Sequence, residues 1–208
     1  MKENKGNFIA FEGLDGSGKS TQIRYLVNKL RARGNKIYET FEPTDSPIGS
    51  LIHQIMTKRT HSNHKTIAAL FVADRVDHLL NEVNGIYDKV ENGVTVIADR
   101  YYFSSYAYNS IHTPIEWVIK ANSLCADILK PDATLFLDLA PEKCIERLNR
   151  ERWHMELYEN LEFLSQVRSK YLEAFELLKN EENVITINAD ASEEDIAENV
   201  WQSVKHLF

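Results

Sequence analysis

A chain of 208 residues, 43% hydrophobic and 26% charged, suits one α/β domain with a sizeable core. The formal net charge of −7 argues against a general nucleic-acid binder, which carries a basic footprint, while leaving room for a locally basic pocket. Cys125 and Cys144 are too few for a disulfide scaffold and lack metal-type spacing, no apolar run reaches membrane-spanning length, and the N-terminus leads straight into an apolar strand. The expectation is a cytoplasmic protein with reduced, buried thiols and no leader or membrane segment.

Strand and helix patterns then alternate along the chain, which predicts a mostly parallel sheet covered on both faces. A strand is expected over Asn7–Glu12 and a helix over Ser20–Arg33, with Ile23, Leu26, Val27 and Leu30 at helical spacing and Gly34 as the stop. A second strand, Lys36–Phe41, ends at Glu42-Pro43. Ile48–Thr57 reads as a short helix, Thr60–Lys65 as a polar loop, and Thr66–Glu91 as one long helix stopping at Asn92-Gly93. Val94–Ala98 is an apolar strand that delivers Asp99. Helices are expected over Ser104–Asn109 and Pro114–Leu129, a strand over Ala133–Leu139, and a helix from Pro141, where proline suits the first turn. Asn160–Lys179, Val184–Asn188 and Ser192–Leu207 complete the pattern as helix, strand and helix. Ligands of such sheets sit at the carboxyl ends of the strands, where Gly13–Ser20, Glu42-Pro43 and Asp99-Arg100 all fall.

The first of these segments carries the sharpest chemistry. Gly13-Leu14-Asp15-Gly16-Ser17-Gly18-Lys19-Ser20 fits G-x-x-x-x-G-K-[ST] at every fixed position, after a strand and before a helix. Glycines let successive backbone N–H groups curl around an anion. Lys19 reaches the β- and γ-phosphates, Ser20 offers a hydroxyl to Mg²⁺, and the following helix presents its positive dipole end. The expected ATP-binding set is Gly13, Leu14, Asp15, Gly16, Ser17, Gly18, Lys19, Ser20 and Thr21. Asp99 is the expected acidic partner of Mg²⁺, and Arg100 beside it can make paired hydrogen bonds to a phosphate.

A phosphate loop alone does not separate a switch GTPase, a motor and a small-molecule kinase. No Asn-Lys-x-Asp segment for reading guanine is present, and the chain is short for a motor. It does hold Arg75, Arg100, Arg147, Arg150 and Arg152 near predicted strand ends and loops. Phosphoryl transfer between two nucleotides gathers anionic phosphates that such guanidiniums offset, so a nucleotide kinase is favoured over a switch. His53, His61 and His64 fall in no metal-binding register and read as solvated.

FEGLDGSGKSTQ, Leu70–Arg75 (LFVADR), Ala98–Tyr108 (ADRYYFSSYAY) and the late ELYE and FLSQVRSKYL segments resemble the thymidylate kinase (dTMP kinase) family, in the family's order. The resemblance implies a P-loop nucleoside-monophosphate-kinase fold, a five-stranded parallel sheet flanked by helices with a short lid at about 147–159. It implies ATP and dTMP as substrates, Mg²⁺, no nucleic-acid or membrane partner, and a homodimer. It also assigns the second pocket. Phe71 stacks on thymine, Arg75 hydrogen-bonds the base, Arg100 holds the dTMP phosphate, and Tyr108 lies against C2′ of the sugar. Asp15 holds the 3′-hydroxyl. Ser105 stands where some relatives place a base-contacting asparagine, and Glu156 and Tyr158 are substrate-closing residues of the lid. Some relatives carry a basic residue where this chain has Gly16. Here the positive charge is expected on the lid instead, a bacterial-type arrangement, with Arg150 and Arg152 stabilising the transition state. Many relatives have arginine where this chain has Phe41. The alternatives left open are a kinase for another pyrimidine monophosphate such as dUMP, and a switch-type nucleotide-binding protein.

Overall fold

The computed structural model describes residues 5–151 and 160–208, and of residues 150 and 151 the backbone alone. Five parallel strands form one sheet: β1 (Phe8–Gly13), β2 (Ile37–Phe41), β3 (Thr95–Asp99), β4 (Ala133–Asp138) and β5 (Val184–Asn188), in the order β2-β3-β1-β4-β5. β1 pairs with β3 on one side and β4 on the other, so both of its faces and both of its edges are covered. That is why its residues are apolar almost without interruption and all six are buried. The exception, Glu12, is a fully buried carboxylate inside this central strand.

Helices α1 (Lys19–Ala32), α2 (Pro47–Met56), α3 (His64–Leu80), α4 (Ile86–Glu91) and α5 (Tyr102–Tyr108) connect the first three strands and follow the third. α6 (Ile115–Ile128), α7 (Pro141–Glu151), α8 (Leu161–Leu178) and α9 (Glu193–Val204) complete the layers on the sheet. Among the described residues no helix is long and apolar enough to cross a membrane. Cys125 and Cys144 are free and buried, as the sequence predicted.

The expected helix over 66–91 is two helices. α3 starts earlier, capped by the Asn63 side chain accepting from the Thr66 amide, and it ends at Asn81, whose side chain accepts from the Val83 amide. Gly85 then sits so close to this turn that a Cβ would lie 2.5 Å from the Asn81 carbonyl oxygen. The apolar spacing carries across the break, and local side-chain-to-backbone bonds override it.

β1 is the strand at which the connections change direction, so the crevice opens between the carboxyl ends of β1, β3 and β4. The phosphate loop leaves β1 at this point. Arg100 follows β3 there with φ of 75°, a left-handed conformation that a non-glycine residue adopts at some cost.

Candidate active site

Gly13, Gly16 and Gly18 hold positive φ, and Gly18 forms the N-cap of α1. This curls the loop so that its amides and the helix N-terminus face one groove. Lys19 is buried, and its ammonium donates to the carbonyls of Gly13 (3.2 Å) and Leu14 (3.1 Å). Burial and the neighbouring Arg100 charge push its pKa down, against the carboxylates of Asp99, Asp15 and Glu12. Gly16 meets α7 at its closest: a Cβ there would lie 2.6 Å from the Cys144 carbonyl oxygen and 3.1 Å from Leu148.

The groove, about 1030 Å³, is lined by the loop residues Asp15 through Thr21, by Phe41 and Asp99 at the ends of β2 and β3, and by Arg147. Arg147 extends from α7 towards the carbonyls of Gly16 and Ser17 and to that of Ala189 (3.3 Å). Ser20 donates from Oγ to Asp99 Oδ2 at 3.4 Å, while Asp99 Oδ1 is buried with no described partner. A hydroxyl and a carboxylate with a spare oxygen are hard donors that suit Mg²⁺, completed by water and phosphate. No group of three or more histidine, cysteine or acidic side chains forms a metal site among the described residues.

A second cavity of about 220 Å³ adjoins the first and is lined by Phe71, Arg75, Ser105, Tyr108, Met56 and others. At the junction, Arg100 Nη2 donates to Asp15 Oδ1 (2.6 Å) and to the Tyr108 hydroxyl (3.3 Å), and that hydroxyl donates to Asp15 Oδ2 (3.2 Å). Burial works to raise the Asp15 pKa, but the charges of Arg100 and Lys19 and these hydrogen bonds outweigh it and hold it at about 2. Burial also raises the Tyr108 phenol.

Arg100 is fixed from behind by a network that sequence reasoning missed. Its Nη1 donates to the Gly13 carbonyl (3.2 Å), to Ser104 Oγ (2.9 Å) and to the Tyr171 hydroxyl (3.4 Å). Ser104 and Tyr171 both donate in turn to Glu12 Oε2, at 2.6 and 2.8 Å, and Glu12 Oε1 accepts from the amides of Tyr101 and Ser104. Burial nonetheless raises the Glu12 pKa. A lone acid inside an apolar strand was the available signal.

Arg75 is buried at the wall of the smaller cavity. Nε and Nη2 bind Glu42 Oε2 (2.8 and 2.6 Å), Nη1 donates to Ser105 Oγ (3.1 Å) and to Asn122 Oδ1, and Nη2 also donates to the Tyr101 carbonyl (3.2 Å). Its five N–H groups thus each have a protein partner. Glu42 takes a further bond from His78 Nδ1 (3.0 Å). Glu42, which the sequence placed at the ligand end of β2 without a role, lines the cavity, and Asn122, which the sequence did not single out, is buried behind Arg75.

Asp15–Thr21, Asp99, Arg100, Phe71, Arg75, Ser105 and Tyr108 therefore converge on two adjoining cavities, whereas Leu14 is buried in the core and Gly13 meets the site only through its carbonyl, which accepts from Lys19 and Arg100. Arg150 falls in the last turn of α7, its side chain outside the description, and Arg152, Glu156 and Tyr158 lie outside the described residues.

Residues 11–200 match the family model described as thymidylate kinase. The chain belongs to the thymidylate kinase family. It is 34% identical to a thymidylate kinase of Caldicellulosiruptor saccharolyticus, with 98% of each chain covered. It is 38% identical to a probable thymidylate kinase of Pyrobaculum aerophilum (96% of this chain, 97% of the relative) and 34% identical to one of Pyrococcus abyssi (97% of each). The five-stranded parallel sheet with helices on both faces fits that family's P-loop nucleoside-monophosphate-kinase fold.

Proposed function

We propose that this chain transfers the γ-phosphoryl group of ATP to dTMP, giving ADP and dTDP, with the donor in the larger groove and the acceptor in the smaller cavity. The observation that carries the reading is the Asp15–Arg100 pair at 2.6 Å, where the two cavities adjoin. The family and its relatives' names support the acceptor's identity. Lys19 and the loop amides hold the donor phosphates, Arg100 binds the acceptor phosphate, and Asp15 holds the sugar 3′-hydroxyl. Phe71 stacks on thymine, while Arg75, with its donors engaged, forms a fixed polar wall that shares a hydrogen bond with the base. Ser105 supports Arg75, and Tyr108 excludes a 2′-hydroxyl. Mg²⁺ at Ser20 and Asp99 would supply charge compensation to the donor phosphates.

The acceptor is already an oxyanion, so the chain contributes alignment and charge compensation rather than a base. The lid around 147–159, with Arg150, Arg152, Glu156 and Tyr158, closes over the transferring group and excludes water. We place the protein in the cytoplasm. We also propose a homodimer through the face of α3 and α6, supported by the exposed Leu80, Trp117 and Leu124.

Steady-state assays with Mg-ATP and dTMP, dUMP, UMP or dCMP test the reading. It predicts dTDP as the favoured product and UMP as the poorest acceptor. Turnover of ATP with no monophosphate acceptor would overturn it.

A further inference from the structure

Asp15, Glu42, Pro43, His53 and Arg100 line both cavities. Four of the five are accounted for: Asp15 and Arg100 pair with each other, Glu42 binds Arg75 and His78, and proline has no donor. His53 is different. It is exposed on α2, and its ring makes no hydrogen bond or ion pair with any described residue.

Its position on the helix places it further. Met56, three residues on and on the same face of α2, lines the smaller cavity but not the larger groove. His53, one turn earlier, lines both, so it stands where the two cavities join. The other basic groups of the groove are engaged by protein oxygens: Lys19 and Arg147 by main-chain carbonyls, Arg100 by Asp15. An imidazole in either protonation state offers at least one N–H donor. Among the described residues nothing uses this one.

We propose that His53 is a phosphate-binding residue of the acceptor site, its ring N–H donating to the phosphate of the monophosphate acceptor alongside Arg100. The inference rests on the acceptor occupying the smaller cavity. It assigns α2 a contact with the phosphate in addition to the apolar wall that Met56 gives the nucleoside.

The test compares dTMP with thymidine, which lacks the phosphate, on the full chain by calorimetry and inhibition. His53→Ala is expected to weaken dTMP about tenfold, as loss of a hydrogen bond to a charged group does. The KM for dTMP should rise accordingly, thymidine binding should stay within twofold, and His53→Lys should restore most of the loss. His53 is exposed and without a described side-chain partner, so these variants should fold. Unchanged dTMP binding in His53→Ala, or an equal loss for thymidine, would overturn the proposal. Phe71→Ala should weaken both ligands. If it weakens neither, the cavity assignment falls and this proposal with it. If it weakens both while His53→Ala weakens neither, only this proposal falls.

Discussion

The hydroxyl of Tyr171 donates to Glu12 Oε2 at 2.8 Å, joining two residues 159 positions apart in the chain. Glu12 lies in the central strand and Tyr171 in α8, the helix that begins just after the segment we propose as the lid. The same hydroxyl lies 3.4 Å from Arg100 Nη1. α8 is thereby tied to Arg100, the residue we propose binds the acceptor phosphate. Tyr171→Phe keeps the ring and removes this tie. It should cost about 1 kcal/mol of stability and lower kcat/KM for dTMP about tenfold through displacement of Arg100. Melting curves and initial rates read the two effects separately.

Lys19→Met replaces a buried ammonium with an apolar side chain of similar length. With its pKa already pushed down by burial, the folded protein should tolerate the loss of this charge. Activity should fall by about 10²–10³, the scale for removing one preorganised charge-stabilising donor. A normal melting temperature with this loss of dTDP formation is the expected pair of results.

Asp15 gives a pH dependence with a definite sign. Its carboxyl is held at about 2, below the ordinary aspartate value, so the folded state favours the charged form. The resulting stability is present above about pH 4, the unfolded value, and is lost as pH falls towards 2. Asp15→Asn should therefore lower the urea midpoint at pH 7, and the gap from the parent protein should narrow between pH 5 and pH 3. A gap that widens on acidification would contradict the pairing with Arg100.

Glu42→Ala would leave Arg75 buried without its carboxylate. Breaking such a pair costs about 3–5 kcal/mol, or a melting temperature lower by on the order of 10 °C. Differential scanning calorimetry measures it directly. Asn122→Leu removes only one acceptor and should cost less, about 1–3 kcal/mol.

How much of this was readable in advance follows from the range of each interaction. The phosphate loop was legible because its glycines and Lys19 act within one turn of chain, and the fold's strands because their apolar runs are local. Phe71, Arg75 and Tyr108 were reached through the resemblance rather than through periodicity. Tyr171 and Asn122 act as single residues across long sequence separations, 47 positions for Asn122 and Arg75, and leave no local pattern, while Glu12 shows only as an acid interrupting an apolar strand. His53 was seen and read as solvated. It is exposed, but whether an exposed histidine faces bulk water or a cavity mouth is decided by how α2 docks.

Gly16 constrains how this chain's relatives can differ from it. With φ of 82° and a Cβ position only 2.6 Å from the Cys144 carbonyl, the loop at this point and the helix leading to the lid occupy space that admits no side chain. A basic residue at position 16 is therefore not a single change. It requires α7 to retreat, and with α7 goes Arg147, which reaches the loop carbonyls of Gly16 and Ser17. The identity of residue 16 and the seat of α7 on the phosphate loop are therefore coupled, and neither changes without the other.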